Sequence, residues 1–305
     1  MKKGISLVTY GEFFKPIELA DRDIFKNFLI HDHPGISECS FTNLFVWKRR
    51  YNPLWTVQEE CLLLVCLPGD EEPFALPPVG TGDRVEGVYL LMEAMADLGA
   101  SPRICRVPES FISAYLDHER FFWSLDRDNS DYIYLTRDLI ELSGNRLHKK
   151  KNHLNHFMRH NVFEYRPMDL EMIECVLDMQ EEWCQVRECI ESNELVSEDY
   201  AIRQALTHFE ELNLEGGVIV MGGKVEAFSL GELLTSDTAV IHFEKANPSI
   251  PGLYAAINQL FCSHAWPLTT YINREQDLGK EGLRRAKESY RPHHMLHKFT
   301  VLPLT

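Results

Sequence analysis

Residues 216–252 read GGVIVMGGKVEAFSLGELLTSDTAVIHFEKANPSIPG. Gly216-Gly217 opens the apolar run VIVM, Gly222-Gly223-Lys224 has hairpin-turn chemistry, and VEAFSLGELL returns. Thr235-Ser236-Asp237 turns the chain again, into TAVIHFEKA. Three antiparallel strands therefore lie side by side here. Beyond the loop NPSIPG, the spacing predicts a helix over 252–265, a strand TTYIN, a helix over 281–290 and a last strand HKFTVL. The C-terminal half thus runs strand, strand, strand, helix, strand, helix, strand.

Upstream of this block the charge is unevenly distributed. Residues 142–163 carry five Lys or Arg, four His and no acid, whereas residues 169–215 carry fourteen acids against two arginines. The basic segment RLHKKKNHLNHFMRHN puts Leu147, Leu154 and Met158 on one helical face, beside a stripe of Arg146, Lys149, Lys150, His153, His156 and His160. Lys151 and Arg159 add to its charge. Two readings are open: the helix neutralises phosphates of a nucleotide, CoA or tRNA, or it is structural, either a solvated face or the partner of the acidic helix expected from about 169 to 190.

The first half reads as mixed α/β. Helices are expected over 18–30, 84–98 and 108–118, strands in LWTVQ and CLLLVCL about a Glu59-Glu60 turn, and a strand in DYIYL at 131–135. EEPFALPPVGTGD reads as a loop. The Ser143-Gly144 break divides the chain into domains 1–143 and 144–305. No residue-level repeat is visible.

Composition narrows the function classes. Apolar residues at 45% and charged residues at 25% describe a globular protein. No run approaches the roughly 20 apolar residues of a membrane span, and Gly11, Glu12 and Lys15 interrupt any signal-peptide core, so a cytoplasmic protein is expected. A net charge of −15 argues against a DNA-coating role. The eight cysteines lack C-x-x-C spacing and are read as reduced, mostly buried thiols. His293 and His297 have metal spacing only on a helix, which Pro292 disfavours, so no metal site is assigned. Nucleophile-elbow, Walker and dinucleotide motifs are lacking.

Two strand ends concentrate groups able to do chemistry. His242, Glu244 and Lys245 close one strand, with Asn247 just beyond; Asn273, Arg274, Glu275 and Asp277 close the next. Ligands of open α/β sheets collect outside the carboxyl ends of strands, and Lys287 and Tyr290 on the following helix can reach the same space. Amide-forming acyl transfer needs a proton acceptor and donors aimed at the developing charge. Glu244 or Glu275 suits the base role, Arg274, Lys287 or Lys245 can hold a carboxylate or phosphate, and Asn273 and Asn247 can orient a substrate. The same residues also suit salt bridges that tie strand ends to the last helix.

The element order of the C-terminal half resembles the acyl-CoA N-acyltransferase fold. The stretches HFEKANPSIPGLYAAINQLF and YINREQDLGKEGLRRAKESYRP are similar to the C-terminal domain of phosphatidylglycerol lysyltransferases. A likeness to the peptidoglycan-bridge aminoacyl transferases rests on the basic helix and on Gly282-Leu283-Arg284-Arg285-Ala286-Lys287. The resemblance implies an α/β (α+β) fold of two acyltransferase-like domains in tandem, each a mixed, mainly antiparallel sheet flanked by helices. It also implies an active site in the C-terminal domain and an acyl-CoA or aminoacyl-tRNA donor. The usual CoA loop carries R/Q-x-x-G-x-G/A; here Glu244 to Gly252 contains a single glycine. The multi-pass membrane portion of the lysyltransferases has no counterpart in this sequence.

The leading expectation is therefore an acyl or aminoacyl transferase acting on an amine or hydroxyl acceptor. It forms no covalent enzyme intermediate, because neither strand-end cluster holds a cysteine or serine. The rivals are a non-catalytic protein that binds a small anion and an RNA-binding module led by Arg146, Lys149, Lys150, Lys151 and Arg159.

Overall fold

A computed structural model of the protein describes residues 13–186 and 192–304. The chain divides into two compact units, one holding the residues up to Arg127 and those from His297 onward, the other Asp128–Leu296. The first unit's sheet contains β1 (Lys15–Pro16), β2 (Pro53–Gln58), β3 (Cys61–Cys66), β4 (Phe74–Ala75), β5 (Val79–Gly80), β6 (Ile104–Pro108), β7 (Phe121–Leu125) and β15 (Lys298–Pro303). Their order is β1-β2-β3-β4-β6-β15-β7, with β5 on β3. Glu59 and Glu60, both at positive φ, make the two-residue turn of the β2–β3 hairpin. The helix Arg84–Asp97 starts where the Asp83 side chain accepts from the amides of Val85 and Glu86. It packs Leu91 and Met95 with Leu63 and Val65 of β3.

The second unit contains β8 (Asp131–Leu135), β9 (Glu164–Pro167), β10 (Glu215–Met221), β11 (Lys224–Leu233), β12 (Thr238–Ala246), β13 (Tyr271–Asn273) and β14 (His294–Leu296), in the order β14-β8-β13-β12-β11-β10-β9. The expected hairpins β10–β11 and β11–β12 are antiparallel, and β12–β13 is parallel. Helix Leu253–Ala265 buries Leu253, Ala256, Ile257 and Phe261 against Ile219, Ala227, Ala239 and Ile241 of the sheet. Leu147, Leu154 and Phe157 of the basic helix Gly144–His160 join the same core.

The domain division differs from the one expected. β8 follows β7 in sequence, yet it pairs with β13 and β14 of the second sheet. β15 follows β14, yet it pairs with β6 and β7 of the first. The strand that follows β7 thus belongs to the second sheet, and the strand that follows β14 to the first. The boundaries consequently fall at 127/128 and 296/297, because strand pairing at a distance overrides the Ser143-Gly144 break. The acidic region is also two helices, Ile173–Val186 and Asn193–Thr207. The expected loop at 71–83 contributes β4 and β5. Six cysteines are free thiols, of which Cys175 is exposed. Cys184 is disulfide-bonded, contrary to the expectation for it, and Cys189 lies outside the described residues.

The two units share a backbone device that the sequence does not show. In the first, the parallel pairing of β4 with β6 is Ala75 with Ile104, and Arg106, two residues on, has φ 62°. In the second, the parallel pairing of β12 with β13 ends at Val240 with Asn273, and Glu275, two residues on, has φ 55°. A side-chain-bearing residue in this left-handed region is strained. In each unit it stands two residues past the last parallel pair.

Candidate functional site

β12 runs on to Ala246 after β13 has ended at Asn273, so the two strands part beyond Val240. A bulge decides which side chains look into the gap. Gly231 pairs with Ile241 and Leu230 with Phe243, leaving His242 as the extra residue. Ala239 and Ile241 face helix Leu253–Ala265 before the bulge, and Glu244 and Ala246 face it afterwards. Gly231 is required there, since a Cβ would stand 2.3 Å from the Val240 carbonyl oxygen.

Glu244 is held on both oxygens. Arg274 Nη2 donates to Oε1 at 2.9 Å and Asn258 Nδ2 donates to Oε2 at 2.9 Å. Two buried atoms of this cluster have no protein partner: Arg274 Nη1 and Asn258 Oδ1. Asn258 is itself fully buried. The guanidinium lies over two tyrosine rings, 4.8 Å from the centre of Tyr290 and 5.7 Å from that of Tyr134. Burial disfavours its charge, but Glu244, Tyr134, Tyr290 and Cys262 together outweigh burial and raise its pKa. Tyr134 donates to the Lys287 carbonyl at 2.8 Å, and Lys287 donates to the carbonyls of Arg274 and Glu275, tying the last helix to the gap. Burial and the nearby Arg274 lower the Lys287 ammonium to about 8. Cys262 lies within reach of the Arg274 and Glu244 fields, but burial pushes its thiol up to about 12, so it is no nucleophile at neutral pH.

Beside this cluster, His242 donates from Nδ1 to Glu275 at 2.9 Å and from Nε2 to Glu232 at 3.0 Å. Its side chain is buried, which opposes charge, yet the two carboxylates raise its pKa to about 9. This exceeds the value of an unfolded histidine, about 6.5. The stabilisation is therefore complete below about pH 6.5 and is lost as pH rises through 9. Unfolding free energies measured between pH 6.5 and 9.5 should fall by an amount on the order of 3 kcal/mol. His242→Gln should flatten that slope; equal slopes in both proteins would refute the charged imidazole.

The residues expected from sequence separate into three groups. Glu244, Arg274, Lys287 and Tyr290 come together, with Glu275 and His242 adjoining. Asn273 and Asp277 are structural: Asn273 donates to Asp131 and accepts from the Glu275 amide, while Asp277 accepts from Tyr132, Gly279 and Arg284. Lys245 points to the opposite face, pairing with Glu198 at 2.8 Å and lying over Trp183. Asn247 closes its own loop through Glu226 and the Ser249 amide. The structure does not bring these four to the Glu244–Arg274 cluster: past the bulge Lys245 faces the other way, and Asn273, Asp277 and Asn247 are engaged by partners of their own.

On the basic helix, Arg146, Lys149 and Arg159 are exposed, and Lys151 donates to the Glu141 carbonyl. Lys150 instead turns inward, 4.1 Å from the centre of Tyr290. The acidic helices pair with Lys224, Lys245 and Lys280, and among the described residues the basic helix makes no ion pair with them. Sequence reasoning missed Asn258, Tyr134 and Glu232. Asn258 had a signal, as an amide on the apolar face of LYAAINQLF; Tyr134 and Glu232 had none.

Two mixed sheets in tandem, each with one parallel strand pair, define an acyltransferase-like tandem fold. The family described as "Phosphatidylglycerol lysyltransferase, C-terminal" matches residues 33–302, and the chain belongs to it. A conserved protein of unknown function from Bacteroides thetaiotaomicron VPI-5482 is 36% identical, over 96% of this chain and 99% of that one, with a TM-score of 0.88. L-PGS from Bacillus licheniformis shares the fold at 14% identity, over 92% of this chain and 91% of that one, with a TM-score of 0.65. An uncharacterized protein of Mycoplasmoides gallisepticum is 22% identical over 184 residues, 58% of this chain. The chain spans 57% of the length of that curated relative. No helix among the described residues is long and apolar enough to cross a membrane.

Proposed function

We propose that the chain is an acyl or aminoacyl transferase whose reaction takes place where β12 and β13 part. The observation that carries this is the cluster of Glu244, Arg274 and Asn258, which keeps one buried donor and one buried acceptor unspent. Buried polar atoms are normally paired, so Arg274 Nη1 and Asn258 Oδ1 are read as groups that hold substrate. Glu244 accepts the proton of the attacking amine or hydroxyl as its bond to the donor's carbonyl carbon forms. The donor's ester C–O or thioester C–S bond then breaks, the carrier leaves with the proton that Glu244 took up, and no enzyme-bound acyl group forms. Glu275 is engaged by His242, so the base role falls to Glu244.

The donor favoured here is aminoacyl-tRNA over acyl-CoA. A CoA pyrophosphate would use the amides at the start of helix Leu253–Ala265. Gly252 at that start is instead spent on packing, its Cβ position lying 2.3 Å from the His153 carbonyl oxygen of the basic helix. The exposed Arg146, Lys149 and Arg159 are available to tRNA phosphates. Incubation with labelled aminoacyl-tRNA or acyl-CoA and a panel of amine acceptors should show transfer. Glu244→Gln, which keeps the shape, should lower the rate by about 10²–10⁴. Full activity of a folded Glu244→Gln protein would sink the base assignment, and consumption of neither donor would sink the transferase reading.

A further inference from the structure

Lys150 and Arg274 come from distant parts of the sequence, yet both cations lie within 5 Å of the centre of one ring, that of Tyr290. The carboxylate that acts on both is Glu244, and its bond is to Arg274. Lys150 is half-buried and has no hydrogen-bond acceptor among the described residues. Arg274 Nη1 is buried and unpaired. Two cationic donors, Lys150 and Arg274 Nη1, are thus unspent beside the Tyr290 ring.

We propose that Lys150 and Arg274 bind a small anionic oxygen group of the substrate, a carboxylate or a phosphate, at the edge of Tyr290. This deepens the transferase reading by assigning the charge of a substrate group, and it rests on that reading only for the word substrate. The chemistry follows from the placement. Charge-assisted bonds from two cations suit carboxylate or phosphate oxygens, and a second positive charge beside Arg274 repels a lysine-like substrate side chain. The crowding already registers on Lys150, whose ammonium is lowered to about 8 by burial and by Arg274. Asn258 Oδ1 gives the bound group a neighbouring acceptor, so a ligand carrying an N–H or O–H next to its anionic end satisfies both orphaned atoms.

Titration calorimetry on the full chain at pH 7 and constant ionic strength tests this, with glutamate and succinate as carboxylates, inorganic phosphate and glycerol phosphate as phosphates, and lysine amide as the cation. One anionic class should bind, and which one distinguishes a carboxylate site from a phosphate site. Lys150→Met keeps the packing on Tyr290 and should weaken that binding about tenfold or more. Lys26→Met, an equal charge change on an exposed helix of the first unit, should leave it unaltered. Binding of lysine amide in preference to both anion classes, binding of neither class, or equal affinity in Lys150→Met would overturn the proposal. Donor-transfer assays on the same preparation separate the two readings. Transfer without anion binding leaves the transferase standing, and anion binding without transfer leaves only this site.

Discussion

A chain truncated after Leu296 is expected to lose the first unit's fold while the second unit keeps its own. β15 is paired on both sides, with β6 through Lys298–Pro108, Phe299–Val107 and Val301–Ile104, and with β7 along Phe299 to Pro303. Its removal opens two strand edges inside one sheet and empties the place of Val301 in the core. It also takes away Lys298, which is fully buried and pairs with Glu38. Glu38 shares with Asp126 the counter-charge of the buried Arg106, so the remaining charges no longer balance. Breaking a buried pair costs about 3–5 kcal/mol, and each lost apolar side chain adds roughly 1.5–3 kcal/mol. Together these rival the whole stability of a domain, about 5–15 kcal/mol. Calorimetry and amide hydrogen exchange should show the protection of β2, β3 and β6 gone and that of β10 to β12 retained. Survival of both would mean that β15 is dispensable.

Glu244→Ala is the point substitution with the largest expected effect on stability. Arg274 keeps its place among Tyr134, Tyr290 and Lys150 but loses the only carboxylate bonded to it among the described residues, and Asn258 loses the partner of its amide. An uncompensated buried charge costs about 3–5 kcal/mol. For a unit of this size that lowers the melting temperature by roughly 10 °C. Adding Arg274→Met removes the stranded charge, so the double variant should melt above Glu244→Ala alone. If the double variant is the less stable of the two, packing rather than charge pairing dominates at this position.

Much of the second unit was legible because its signals are local. Gly222-Gly223 marks the β10–β11 turn, apolar spacing marks helix Leu253–Ala265, and Leu147 and Leu154 mark the buried face of the basic helix, which Phe157 completes with Met158 only partly buried. The strand-end cluster was half legible. Strand ends gather polar groups, which found Glu244, Arg274, Lys287 and Tyr290, but facing depends on phase. The bulge at His242 resets that phase, sending Lys245 to Trp183 and Glu244 to Asn258. Lys150 looked like one member of a solvated stripe, and only the position of Tyr290, 140 residues later, turns it into part of a site. The crossing of β8 and β15 was illegible for a related reason: DYIYL and HKFTVL carry strand propensity but nothing that names a partner.

The crossing also sets a timetable. Strand β7 ends at Leu125 and the strand that covers it, β15, begins at Lys298. At about 5–20 residues per second, synthesis of the intervening chain takes roughly ten to thirty seconds. During that interval β6 and β7 have left the ribosome without the strand that lies between them. The first unit to be made is therefore the last to be finished. The second, which needs β8 and nothing beyond Leu296, can close first, reversing the usual N-to-C order of domain folding.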